Sequence, residues 1–172
     1  MYYKGYEFLI RALPLVPEAG LVLGGRGPLT ESLMGLARSL GVQERIEFTG
    51  RIAERDLPFY YHACDVFCLP SVEQSEAFGI VQLEAMACGK PVLCCELNNG
   101  VTWVNQDRVT GLVVPPADPV ALAGALKRLV TDTELRQRLG GQGRQRAGRE
   151  FTVEAMVRGT LSVYRTVLAG TT

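Results

Sequence analysis

SVEQSEAFGIVQLEAMACGKP, from Ser71 to Pro91, sets two carboxylates and a glycine where an ordinary core helix would carry none. From Gly79 to Cys88 the chain is apolar on nearly every side, through Ile80, Val81, Leu83, Ala85, Met86 and Ala87. The spacing predicts a buried helix closed by Gly89 and stopped before Pro91. Glu84 falls in the middle of it. A carboxylate buried there in ionised form costs on the order of several kcal/mol unless something donates hydrogen bonds to it, and the hydroxyls of a ligand are the obvious donors. Glu76 lies eight residues earlier, beside the helix start. There Phe78, Gly79 and Ile80 are expected to leave backbone N–H groups pointing outward, and with the helix dipole these form a seat for a phosphate or another anion. On a continuous helix the two carboxylates would stand about 12 Å apart along the axis, with bearings differing by about 80°. That is one edge of an elongated ligand with an anion in its middle.

Outward from this stretch, 172 residues fit one domain, and 47% hydrophobic residues suffice for a sizeable core. Lys+Arg and Asp+Glu balance at 18 each, so the charge offers nothing to a nucleic acid. No run approaches the length of a transmembrane helix, and the first residues lack a signal peptide's pattern. The five cysteines, Cys64, Cys68, Cys88, Cys94 and Cys95, sit inside apolar runs and read as reduced core residues of a cytoplasmic protein. Their spacing matches no zinc site and the single His gives them no partner, so no metal is expected.

Short apolar runs alternate with helical patterns, which predicts parallel strands with crossover helices, a Rossmann-like doubly wound α/β domain with helices on both faces. Strands are expected near Leu21 to Gly24, Ile46 to Thr49, Val66 to Leu69, Pro91 to Cys94 and Leu112 to Val114. Helices are expected near Gly5 to Leu13, Leu29 to Leu40, Arg55 to Ala63, Ile80 to Cys88, Pro119 to Val130, Asp132 to Leu139 and Val153 to Leu168. Asp118 before Pro119 is an N-cap signal, with Leu122, Leu126, Leu129 and Val130 on one face. Gly140, Gly141, Gly143 and Gly148 read as a turn between two terminal helices, the last of which repeats Val157, Leu161, Tyr164 and Leu168 on an inner side.

LPSVEQSEAFGIVQLEAMACGKPV, Leu69 to Val92, resembles the pattern PS-x-x-E-x-FG-x-x-x-x-EA-x-A-x-G-x-PV of retaining glycosyltransferases of the GT-B type, particularly family 4. The resemblance implies that Glu76 contacts the transferred sugar and Glu84 the ribose of the nucleotide, while the amides of Phe78, Gly79 and Ile80 hold the diphosphate. Glu73 is a second candidate for the first position, but only Glu76 keeps the following FG and the eight-residue step. Lys4-Gly5 matches the KG of that family and makes Lys4 a diphosphate-binding cation, whose Arg partner would lie upstream of Met1. Without the resemblance, Lys4 reads as an exposed basic residue.

The same resemblance makes residues 1–172 a single C-terminal donor-binding domain, with 153–170 as an extension and the N-terminal acceptor domain and first strand absent. In a sheet of order 3-2-1-4-5-6 the first strand is central. Its loss would leave two facing rows of unpaired backbone groups, to be filled by a shifted strand or by a partner chain in a homodimer. Intact pairing around the gap would reject that idea.

LVLGGRGPL, Leu21 to Leu29, ends in glycines and enters a helix. Gly25-x-Gly27-x-x-Thr30, with Glu47 downstream, approaches the dinucleotide fingerprint. Thr30 in place of the third glycine, Pro28, and Glu47 within a strand argue against a nicotinamide or flavin cofactor. The loop resembles the G-x-GP turn of family 4, which places Gly25 and Gly27 along the nucleotide. Its alternative is a tight turn with no ligand. FTGRI, Phe48 to Ile52, resembles a segment whose backbone reads the base edge, and so assigns Arg51 and Ile52 there. NNGVTWVNQDRVTGLVVPP, from Asn98, resembles a segment in which Gly100 approaches the phosphates, with Val101 and Thr102 supplying amides. Trp103 would close the pocket or belong to the core, and Thr110 and Gly111 would form a structural turn. His62 is expected to pack under the sheet, with no nucleophile or metal ligand beside it. Arg136, Arg138, Arg144, Arg146 and Arg149 read as a solvated face, with peripheral contact to an anionic membrane surface as the alternative.

The implied reaction moves a sugar from a UDP- or GDP-linked donor to a glycan or lipid-linked acceptor, the acceptor being met by the missing N-terminal domain. Two other readings stand beside it. One is a different GT-B activity, such as a nucleotide-sugar epimerase or a phosphorylase. The other is a nucleotide-binding module without catalytic activity of its own.

Overall fold

The structure, a computed structural model, describes residues 2–170. Five short strands, β1 (Leu21–Gly24), β2 (Ile46–Gly50), β3 (Phe67–Leu69), β4 (Val92–Cys95) and β5 (Gly111–Val114), all pair in parallel. Around them lie α1 (Tyr6–Ala12), α2 (Thr30–Ser39), α3 (Leu57–Ala63), α4 (Ile80–Ala87), α5 (Gly100–Val104), α6 (Pro119–Thr131), α7 (Thr133–Glu150) and α8 (Val153–Ala169). The expected α/β architecture is present, and each strand begins within one residue of its expected place. Among the described residues no helix is long and apolar enough to cross a membrane.

The sheet is interrupted. β1 and β2 form one piece, with Leu21 opposite Ile46 and Leu23 opposite Phe48. β4 lies between β3 and β5 in the other, with Val92 flanked by Phe67 and Gly111. Among the described residues β1 and β3 each have a hydrogen-bonded strand on one side only. Burial follows the pairing: Val92, Leu93, Cys94 and Cys95 are wholly buried, whereas Val22 in β1 is half exposed. A strand in a parallel sheet is ordinarily covered on both faces, and the exposure of Val22 shows that one face of β1 is not. The two pieces are joined by α1, which packs against both α2 and α6 and sends Leu9 and Ile10 into the core. Arg45, just before β2, fastens the segment between α1 and β1 by donating to the carbonyls of Leu13, Val16 and Ala19.

The glycines after Leu139 do not form a turn, because α7 runs unbroken from Thr133 to Glu150. Gly140 and Gly143 are contact points instead. A Cβ at Gly140 would come within 2.0 Å of the Gly89 carbonyl oxygen, and one at Gly143 within 3.3 Å of Met86, so their missing side chains let α7 lie directly on α4. The inner side expected of the last helix is not inner: α8 has no buried residue, and Val157, Leu161, Tyr164 and Leu168 all face outward. The repeat is present, but no described element covers it. The helix starts cleanly at Thr152, whose Oγ1 accepts from Ala155 N at 3.1 Å.

His62 is exposed rather than packed under the sheet, and its carbonyl accepts from Lys90 Nζ at 2.9 Å. Cys94 and Cys95 are core residues, while Cys64, Cys68 and Cys88 are half-buried, and all five are free thiols. The basic stretch is not one solvated face. Arg136 donates to the carbonyls of Leu129 and Val130, and Arg146 to those of Trp103 and Val104.

Candidate functional site

The N-terminus of α4 is built by two glycines. Gly79, the cap residue, adopts a left-handed φ of 69°, and a Cβ there would lie 2.6 Å from Leu69 Cδ2. No side chain caps this helix start, and of its first-turn amides Gln82 N turns back to the Gly79 carbonyl at 2.9 Å, which leaves Ile80 N and Val81 N at the helix tip. Gly5, at a φ of 66°, lets the N-terminal segment lie on the loop that follows β3: a Cβ would fall 1.9 Å from the Pro70 carbonyl oxygen. Val72 N then donates to Tyr3 O at 2.8 Å.

That docking delivers Lys4 to Glu76. Lys4 Nζ donates to Glu76 Oε2 at 2.5 Å, and Ser71 Oγ donates to the same oxygen at 2.9 Å. Ser71 is wholly buried and Glu76 nearly so. Two residues expected to meet different parts of a ligand are therefore paired with each other, and Lys4 is not the exposed basic residue that its position near the terminus suggests. Glu73, the rival for the first acidic position, serves the loop through its backbone, its carbonyl accepting from Glu76 N at 3.1 Å.

A second helix start closes on the same loop. Asn99 caps α5 by accepting from Val101 N at 3.0 Å, while its Nδ2 donates to Glu76 O at 2.9 Å. Gly100 presses against the loop, since a Cβ there would meet Ala77 O at 2.6 Å. The expectation that Val101 offers a free amide is corrected, because Asn99 already holds it. Beneath both helix starts the wholly buried Gln82 donates to Phe78 O at 3.1 Å and Val101 O at 3.4 Å. Phe78 stacks near Trp103, with centroids 6.0 Å apart, and Trp103 lies edge-on to Phe151 while remaining more than half exposed.

Glu84 departs from the sequence expectation. The helix is not buried on all sides: Gln82, Ala85 and Met86 face the core, whereas Ile80, Glu84 and Ala87 form an exposed face. An ionised Glu84 therefore bears no cost of burial. Its carboxylate is held instead by one hydrogen bond, Tyr61 OH to Oε2 at 2.6 Å. Burial first, and then this bond, raises the Tyr61 phenol above its ordinary value, so it stays a donor.

Gly25, Gly27, Arg51 and Ile52 gather at the carboxyl end of the other sheet piece. Gly25 N donates to Gly50 O at 2.7 Å, and Thr30 Oγ1 closes the turn on Gly27 O at 2.9 Å. The Ile52 side chain covers Gly24, where a Cβ would approach Cδ1 to 2.8 Å. Arg51 is exposed. The structure thus brings Lys4, Glu76, Phe78, Gly79, Ile80 and Gly100 together, sets Glu84 further along α4, and leaves the remaining four residues beyond the break in the sheet. Both groups lie past the carboxyl ends of parallel strands, where open α/β sheets bind ligands. A cavity of about 290 Å³ lined by Leu83, Ala87, Arg144, Ala147, Gly148 and Phe151 shares none of these residues.

Three further residues shape the site, Ser71, Tyr61 and Asn99, none of them among the candidates named from the sequence. Ser71 stands inside the quoted motif. Asn99 carries a local signal, an N-cap asparagine before α5, but its bond to the Glu76 carbonyl spans 23 positions, as does that of Tyr61 to Glu84.

Residues 1–146 match the family of glycosyl transferases group 1. Over 167 residues the chain is 34% identical to the O-antigen chain mannosyltransferase C of Escherichia coli, an overlap covering 97% of this chain and 44% of that protein. Sucrose-phosphate synthase from Thermosynechococcus elongatus matches in structure with a TM-score of 0.85 at 33% identity, over 99% of this chain and 44% of that one. Alr3699/HepE of Anabaena, solved in complex with UDP, matches with a TM-score of 0.86 at 28% identity, over 95% of this chain and 46% of that one. The chain spans less than half the length of each of these proteins.

Proposed function

The chain belongs to the group 1 glycosyl transferases, and from that premise we propose that it is the C-terminal, donor-binding part of a retaining family 4 enzyme that takes a sugar from a UDP- or GDP-linked donor. The observation that carries the reading is the grouping at the start of α4. Glu76 and Lys4 stand on one side of an uncapped helix N-terminus, Gly100 presses on the loop before it, and Glu84 follows along the exposed face.

In this reading the first-turn amides and Lys4 receive the diphosphate. Negative charge grows there as the bond to the sugar breaks, and donors already in place stabilise that charge without reorganising. Lys4 must turn from Glu76 towards the phosphates, which frees a Glu76 oxygen for the hydroxyls of the transferred sugar while Ser71 keeps the carboxylate in place. Glu84 accepts from the ribose hydroxyls, and Gly25, Gly27, Arg51 and Ile52 line the nucleoside. Because Lys4 and the amides meet the leaving charge, neither a metal nor another cofactor enters the proposal, and turnover by the full-length enzyme in divalent-free buffer tests that part.

A glycan or lipid-linked glycan is the proposed acceptor, met by parts of the enzyme outside this chain. Membrane contact through Arg138, Arg144 and Arg149 and pairing of two chains along β1 and β3 are further proposals, checked by vesicle sedimentation and by the oligomeric state in solution. For this chain alone the second reading is donor binding without turnover, since the matched proteins hold more than half their length outside it.

A thermal-shift screen of UDP, GDP, ADP and their sugars tests the donor assignment, because a ligand that binds only the folded state raises its melting temperature. A shift with UDP or GDP that disappears in Glu84→Ala supports it. A shift that Glu84→Ala leaves intact removes the ribose assignment.

A further inference from the structure

Glu84 stands on an exposed helix face, where a glutamate ordinarily samples many rotamers and fixing it costs conformational entropy. Here it does not stand free. Tyr61 on α3 is 9% exposed, and its ring tilts by 60° against Phe67 with centroids 5.6 Å apart, so packing fixes the ring. Its hydroxyl emerges at Glu84 Oε2, 2.6 Å away, within the short range of O–H···O⁻ bonds. The donor and its target are also held in register by a second tie. Lys90, just past α4, donates to the carbonyl of His62, the residue after Tyr61, at 2.9 Å.

Resting on the ribose assignment above, we propose that Tyr61 is a positioning residue that holds the Glu84 carboxylate ready for a pair of neighbouring hydroxyls, and so sets the preference for a nucleoside diphosphate over bare pyrophosphate. One carboxylate oxygen accepts from the phenol, which fixes the plane of the group and leaves Oε1 and the second lone pair of Oε2 for the ligand. A carboxylate ordered before binding does not lose its rotamer freedom on binding. The effect is confined to ligands that carry the diol, and pyrophosphate, which lacks it, is indifferent to Tyr61.

The test is calorimetric titration of UDP, GDP and inorganic pyrophosphate into the unaltered protein, Tyr61→Phe, Glu84→Gln and the double variant. Phe keeps the ring packing on Phe67 and removes only the hydroxyl. Tyr61→Phe is expected to weaken the better-bound nucleotide by about tenfold, equivalent to about 1.4 kcal/mol, and to leave pyrophosphate within about twofold. The double variant is expected to bind no more weakly than Glu84→Gln, because the phenol acts only through that carboxylate.

If Glu84→Gln lowers the nucleotide-to-pyrophosphate ratio and Tyr61→Phe does not, the positioning role is overturned and the ribose assignment stands. Equal weakening of nucleotide and pyrophosphate by Tyr61→Phe marks a general structural effect and also overturns it. A ratio unchanged in Glu84→Gln, or an unaltered protein that prefers neither nucleotide to pyrophosphate, overturns the ribose assignment and this inference with it.

Discussion

Lys4 and Glu76, 72 positions apart in sequence, meet through a 2.5 Å ion pair that fastens the N-terminal segment to the loop before α4. Their side chains are 25% and 11% exposed, so the pair is screened only in part. Lys4→Met leaves the Glu76 carboxylate with Ser71 as its remaining donor. Removing one partner of a fully buried pair costs about 3–5 kcal/mol; with this exposure about 1–3 kcal/mol is expected, read as a lower urea midpoint. Glu76→Gln, which still accepts from Ser71, is expected to lose less. An unchanged midpoint in Lys4→Met would show the pair to be energetically idle.

Gly140 and Gly141 are neighbours with opposite expectations. At Gly140 an added methyl meets the Gly89 carbonyl oxygen at 2.0 Å, so Gly140→Ala forces α7 off α4 and is expected to destabilise by more than about 2 kcal/mol. At Gly141 nothing lies within 4 Å, and Gly141→Ala is expected to stabilise by about 0.5–1 kcal/mol through helix propensity alone. Chemical denaturation of the two variants measures both, and matching signs would contradict the packing described for α7.

Burial raises the thiols of Cys68 and Cys94 to about 12 and that of Cys95 to about 11, from an ordinary 9.0. Each therefore ionises earlier in the unfolded chain than in the folded one. The folded state is expected to keep this contribution below about pH 9 and to lose it as pH rises, at about 1.4 kcal/mol per pH unit for each thiol past its unfolded value. The Tyr61 phenol, raised in the same sense, joins above its ordinary 10.0. Urea midpoints between pH 8 and pH 11 should fall steadily, and a flat profile would mean these groups are wetter than the structure places them.

α8 carries eight large hydrophobic side chains in the open, from Val153 to Leu168, and none of its residues is buried. Ending the chain after Thr152 is expected to move the melting temperature by less than about 2 °C, since no core contact is lost. Self-association should fall with it, because a contiguous apolar stripe in water is an interaction surface. Sedimentation velocity of both lengths at matched concentration reads the second effect, and a large drop in melting temperature would show that α8 folds back on the domain.

Strands and most helices were legible because each apolar run is bounded by a turn residue or a cap, as at Asp118, whose Oδ1 accepts from Val120 N and Ala121 N. What misled was composition read without geometry. Glycines after Leu139 signal a turn by propensity, yet two of them are the flat side of a helix contact. The greasy stretch around Glu84 reads as buried throughout, although which flank of α4 lies uncovered is decided by where α7 falls. The acidic pair and the helix start stood out because both are local features. Their supporting donors, Ser71 and Tyr61, did not, because a hydroxyl in a strand loop or helix is unremarkable until its partner is located.

The gap between β1 and β3 divides the candidate site between two plates, β1–β2 and β3–β4–β5, linked by α1 and by the α3 crossover. Gly25, Gly27, Arg51 and Ile52 sit on one plate, and Lys4, Glu76 and Glu84 on the other. A donor seated across both would act as a brace between them.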